Sequence, residues 1–264
     1  MKLFVFLARF FIESIINFLY DFYMNITALF ALCFLPVITV FALVSFIPTD
    51  KRILKYLISC LFGILAVIPA SFIQFFVLKI PLFSSSSFIS ILLTSIIFNG
   101  LIEEAFKFLF IKFIPKKNQT LQTFLICSIL LGMSSGAVET MIYVIGALQK
   151  SASFSDTNAI LKLILMRIFS AQAIHAFCAG LSGIFIWRMR NGAKNLPPLV
   201  YSVVLHGFYN FFIAFSSGFH WFAVISILMA AVECRIWYQT AKNSKNSQQI
   251  QNLQLTQSEE NSTL

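Results

Sequence analysis

The sequence predicts an all-α protein, a polytopic integral membrane bundle of seven or eight transmembrane helices. Hydrophobic residues make up 59% of the 264 and charged residues only 11%, far less charge than a soluble domain carries. Phenylalanine alone contributes 32 residues, too many to hide in one water-soluble core. Apolar runs close to the ~20 residues that cross a bilayer recur along almost the whole chain.

The first run, residues 3–20, is broken by Arg9 and Glu13, which lie at i,i+4 and can pair on one helix face. Its length favours a span, and no small-residue cleavage site follows, so it does not read as a removable signal peptide. Seven further spans cover roughly 25–48, 54–78, 88–114, 121–147, 159–187, 197–216 and 219–239. The serine run 84–87 reads as an outer loop. Residues 241–264 turn rich in Asn, Gln and Ser without apolar periodicity, as a disordered tail does. The division is therefore a transmembrane domain over 1–240, with a catalytic core at about 88–216, and a tail over 241–264. No internal repeat, broken helix, phosphate-binding loop or soluble second domain is visible.

The formal charge of +9 does not point to nucleic acid, because the basic residues sit in short gaps without interleaved aromatic and polar surface. One set of gaps holds Lys51, Arg52 and Lys55, then Lys112, Lys116 and Lys117, then Arg188, Arg190 and Lys194, then Arg235, Lys242 and Lys245. The alternate gaps hold only Lys79, Lys150 and Lys162. The positive-inside rule puts the first set, and the C-terminus, in the cytoplasm. Five scattered cysteines, Cys33, Cys60, Cys127, Cys178 and Cys234, have no metal-site spacing and read as small apolar filler. His220 beside Trp221 reads as interfacial.

Against this background the stretch GLIEEAFKFLF at 100–110 stands out. A charge near the bilayer centre costs roughly 2.5–3.5 kcal/mol on insertion scales. Glu103, Glu104, Lys107, Glu139 and Arg167 would together cost on the order of 10 kcal/mol if unpaired, comparable with a domain's whole stability. Four consecutive spans carry stripes of small and polar residues at four-residue spacing: Ser95, Asn99, Glu103 and Lys107; Gly132, Gly136, Glu139 and Tyr143; Arg167, Ala171, His175, Ala179 and Gly183; Ser202, His206, Asn210 and Ala214. Such spacing keeps each stripe on one helix face, and small residues let helices approach in lipid, so the four stripes are expected to build one site. At about 1.5 Å per residue from the cytoplasmic ends, Glu103, His175 and His206 lie roughly 12–18 Å deep. Glu139 comes out deeper and needs a shifted or bent helix to come level.

Carboxylates and imidazoles in a membrane cavity suit hydrolysis, and a divalent metal, zinc first, suits two His and one Glu. The H-E-x-x-H signature is absent. Buried Glu and His groups also serve proton-coupled permeases, the rival reading, although the repeats and broken helices common in transporters are missing. Glu103, on the face of Asn99 and Lys107, is the expected general base, with Lys107 beside it. Glu104, rotated about 100°, is the expected metal ligand with His175 and His206. Asn210 is the expected oxyanion donor, and Glu139 a ligand or an orienting partner of a histidine.

E-E-x-x-K at Glu103–Lys107, G-x-x-x-G-x-x-E-x-x-x-Y at Gly132–Tyr143, the Arg167–His175 helix and H-x-x-x-N at His206–Asn210 resemble the PrsW family of intramembrane proteases, distant relatives of the CAAX prenyl proteases and their bacterial kin. The resemblance covers about residues 88–216. It implies that Glu103, Glu104 and His175 are essential and that His206 joins them. It also implies a membrane-protein substrate such as an anti-sigma factor, a metal, and a bacterial plasma membrane as location. The CAAX relatives carry E-E-x-x-x-R, so Lys107 stands one position early, and they lack a counterpart of Glu139.

Orientation is directly testable. Reporter fusions at Lys116 and Arg190 are expected to read as cytoplasmic and fusions at Ser85 and Ser153 as external; the reverse pattern would invert the topology.

Overall fold

The computed structural model describes residues 26–46, 52–77, 79–80, 85–115, 119–150, 157–193, 196–215 and 217–262. Among them there is no strand. The helices are α1 (Ile26–Ser45), α2 (Arg52–Val77), α3 (Phe88–Leu93) running through a π-helix (Thr94–Ile102) into α4 (Glu103–Phe113), α5 (Leu121–Lys150), α6 (Thr157–Phe169), α7 (Ala171–Arg190), α8 (Pro197–Phe215) and α9 (His220–Ser262). Seven segments are long and apolar enough to cross a membrane, and they coincide with the seven spans expected from the sequence. The Arg9–Glu13 segment lies outside the described residues.

Apolar residues surround most of these helices, and large side chains such as Ile68, Phe72 and Phe75 stay exposed on the outer faces. A water-soluble protein would not leave such a band exposed, whereas in lipid it costs nothing. The bundle is organised around α5, of whose most apolar stretch 67% is buried inside the protein, against 17–44% for the other six spans. Its neighbours come close because of glycines. A Cβ on Gly132 would run into the backbone carbonyl of His175 and lie 2.7 Å from the Ala179 side chain, and one on Gly136 would lie 2.9 Å from Gln172 Cα. The α5–α7 contact is thus backbone against backbone, and it carries His175 directly to the α5 wall. Gln172 Nε2 donates to the Cys33 carbonyl at 2.8 Å, tying α7 to α1.

Two irregularities depart from the sequence reading. The fifth span is broken at Ser170 (φ −113°, ψ −67°), where the serine hydroxyl bonds back to the Met166 carbonyl at 2.8 Å and accepts from Tyr209 Oη at 2.9 Å. A hydroxyl that competes with the backbone in this way bends a helix, and the apolar pattern runs through the break without a mark. The third span carries nine residues of π-helix just before Glu103, whose i→i+5 bonding is rare and is found mostly at functional sites. At the C-terminal end α9 continues to Ser262, through residues that the sequence reading leaves as a disordered tail. Their i→i+4 backbone bonds need no apolar face.

Gly132→Ala is expected to destabilise the bundle by about 1–3 kcal/mol through overpacking. Gly146→Ala, with nothing within 4 Å of its Cβ, should gain up to about 1 kcal/mol of helix propensity. Thermal unfolding of both variants in one detergent provides the comparison.

Candidate active site

The sequence stripes meet at one place. The π-helix and α4 bring Asn99, Glu103, Glu104 and Lys107; α5 brings Glu139; α6 brings Arg167; α7 brings His175; α8 brings His206. Of these, Asn99, Glu103, Lys107, Glu139 and His175 line a cavity of about 250 Å³. A further wall is α2, which contributes Ala66, Ala70, Ser71 and Gln74.

Lys107 is the hub. Its side chain is 1% exposed, Glu104 is 0% exposed, and the two form a buried ion pair. The same ammonium lies 2.9 Å from His175 Nδ1. An ammonium only donates, so His175 Nδ1 accepts and its Nε2–H donates to Glu139 Oε2 at 2.6 Å. Arg167 closes that end, 2.9 Å from Glu139 Oε1 and stacked 3.7 Å from the centre of the Tyr143 ring. On the other side Glu104 Oε1 meets His206 Nδ1 at 2.8 Å. A carboxylate only accepts, so the His206 proton is on Nδ1. Nε2 then presents a bare lone pair, buried and without a hydrogen-bond partner among the described residues, 3.8 Å from Glu103 Oε2. The two imidazoles stand edge to face, 4.6 Å apart. Gln74 Nε2 holds Glu103 Oε1 at 2.8 Å.

This arrangement has the chemistry of a hydrolytic centre. Each histidine has a carboxylate on one nitrogen, the arrangement that orients imidazole ligands in metal sites. The sequence model of the PrsW family of intramembrane metalloproteases matches residues 51–233, well over half of the chain. The chain belongs to that family. No curated protein and no solved structure matches it. Family membership decides against the permease reading and makes this chain an intramembrane protease.

The family name implies a metal, and the residues present fit one. One ligand atom from each of Glu103, His175 and His206 lies within 4.8 Å of the other two. Three carboxylates formally face two cations here, an excess of negative charge that a cation would offset. His206 Nε2 is free to bind; on His175 both ring nitrogens are engaged, so a cation there has to displace Lys107 or Glu139.

Two expectations about the glutamates change places. The converging carboxylate is Glu103, not Glu104, and Lys107 pairs with Glu104, not with Glu103. Glu104 does turn toward a neighbouring helix, but it reaches His206 on the nitrogen away from the cluster. Glu139 stands level with the site despite its apparent depth. Its helix has 30 residues, about 45 Å against a hydrocarbon core of about 30 Å, so counting from its end overstates depth. Asn210 is directed to its own helix, Nδ2 donating to the His206 carbonyl at 3.3 Å. Gln74 is the contact the sequence reading misses. Its only signal is that it is the one amide side chain in a largely apolar span.

Lys107→Met leaves the Glu104 charge buried without its cation and is expected to destabilise by about 3–5 kcal/mol. Adding Glu104→Gln should recover most of that loss in the same unfolding assay.

Proposed function

We propose that this protein hydrolyses a peptide bond in or beside the membrane segment of another membrane protein, at the Glu/His centre around Glu103. The convergence of Glu103, His175 and His206 on one another, with Glu103 and His175 lining a cavity inside the bundle, carries the reading.

Glu103, His175 and His206 would hold a divalent cation, zinc by the donor set, which would supply Lewis-acid polarisation of the scissile carbonyl. Glu104 holds the His206 proton on Nδ1, and on His175 a cation at Nδ1 would take the place of Lys107 while Nε2–H keeps Glu139. Glu139 lines the same cavity from α5, and each of its oxygens keeps a second lone pair beyond the bonds to His175 and Arg167. It accepts the proton of the attacking water as the C–O bond forms, and delivers it to the departing amine nitrogen as the C–N bond breaks. Arg167 holds the Glu139 carboxylate in place through this exchange. The products are one carboxyl and one amino terminus, with no other reactant consumed.

The substrate class is a single-span membrane protein, of which a membrane-bound anti-sigma factor in a bacterial plasma membrane is the specific candidate. The C-terminus is cytoplasmic and the catalytic core lies within 88–216, ahead of the polar residues 241–264; the lysine and arginine asymmetry and the four stripes support these.

Cells lacking the gene are expected to accumulate a full-length single-span protein in comparative membrane proteomics. Restoring Glu103→Gln should leave that protein uncut, and the purified variant should carry less metal. Glu139→Gln should keep its metal and lose about 10²–10⁴-fold in turnover. Normal processing by Glu103→Gln would refute the centre.

A further inference from the structure

Asn210, the amide expected to stabilise the developing oxyanion, gives one N–H to its own helix and does not line the cavity. A hydrolytic site still needs a donor at that point, and the cavity wall offers one. Asn99 lies on the π-helix one turn before Glu103 and lines the cavity. Its orientation is set by a chain of one-way contacts. The Glu103 carboxylate only accepts, so the Gln74 atom 2.8 Å from it is the amide nitrogen. The same nitrogen lies 3.4 Å from the Phe98 carbonyl, which also only accepts, and its contact with Asn99 at 3.3 Å is to Oδ1. The free end of Asn99 is therefore Nδ2, whose two N–H groups have no hydrogen-bond partner among the described residues. It is half-buried rather than lipid-facing, on the wall that also presents Glu103.

We infer that Asn99 is a catalytic residue, donating from Nδ2 to the oxygen of the scissile carbonyl as it becomes an oxyanion. Gln74 is the positioning residue that fixes its amide. A donor aimed at developing charge before reaction begins needs no reorganisation when the charge appears. The π-helix serves the same end, since its wider turn keeps Asn99 on the face of Glu103, four residues on. Water oxygen adds to the carbonyl carbon, the carbonyl oxygen takes the negative charge against Asn99 Nδ2, and collapse expels the amine. The inference rests on the peptidase reading above.

The full-length protein is purified and reconstituted in liposomes with the single-span protein that accumulates in cells lacking it. Turnover is measured for the parent, Glu103→Gln, Asn99→Leu, Asn99→Asp and Asn210→Ala, and Zn²⁺ binding is measured separately. Asn99→Leu and the isosteric Asn99→Asp, which lacks the donor, should each lower kcat about 10²–10³-fold with KM within about threefold. Zn²⁺ affinity of Asn99→Leu should match the parent. Asn99→Leu with unchanged kcat overturns the inference, as does a loss that follows loss of Zn²⁺ binding or of folded protein in both variants. A larger kcat loss in Asn210→Ala than in Asn99→Leu returns the role to Asn210 and also overturns it. A parent that cleaves while Glu103→Gln does not, beside fully active Asn99 variants, removes this inference alone; a parent that cuts nothing removes the peptidase reading with it.

Discussion

The Lys107 ammonium sits in the middle of a lipid-embedded bundle with essentially no exposure, and the arrangement of its neighbours follows from that. A cation there is tolerated only against a carboxylate, which Glu104 supplies, and its further donors require acceptors, of which His175 Nδ1 is one. Each partner imposes a condition on the next. His175 must then carry its proton on Nε2, which calls for an acceptor and finds Glu139; Glu139 in turn is balanced by Arg167. Glu104 likewise fixes His206 by its Nδ1 proton. The line Arg167–Glu139–His175–Lys107–Glu104–His206 joins α6, α5, α7, α4 and α8. Any one of these groups left alone would be an unsatisfied charge or dipole in a medium of low polarity.

That network explains why two adjacent glutamates do different work. Both start from the same turn of helix, but one is consumed by charge compensation and the other is left facing the cavity. Glu104, fully buried, neutralises Lys107 and orients His206. Glu103 is bound at one oxygen by an uncharged amide, and its other oxygen is directed toward His206 Nε2. Held at one oxygen by an uncharged amide, Glu103 keeps its charge available to a cation, whereas the Glu104 charge is taken up by the Lys107 ammonium. The chemistry of the site therefore depends on keeping Lys107 on the Glu104 side.

Backbone packing makes these contacts possible. Side chains reach one another across helices only if the axes are close, and the glycines of α5 remove the atoms that would hold α7 away. On the opposite side Gly100 of the π-helix and Gly207 of α8 meet similarly, a Cβ on Gly100 lying 3.3 Å from Gly207 Cα. With no hydrophobic force between helices in lipid, such close backbone contact and the polar network are what hold the bundle together.

The sequence by itself determined the class of protein, the seven spans, and the four polar stripes with the groups they carry. Spacing along a helix fixes direction about that helix's own axis, and a charge in an apolar run announces itself by its cost. It did not determine which of Glu103 and Glu104 faces the histidines, that Glu139 stands level with them, that Gln74 reaches in from the second span, or that Ser170 breaks the fifth. Those depend on how far each helix is rotated and slid against its neighbours. Gly132 and Gly136 set that against the His175 backbone, and the π-helix before Glu103 changes the rotation of everything after it. Rotation and slide are properties of pairs of helices, and a single helix's periodicity contains no information about its partner.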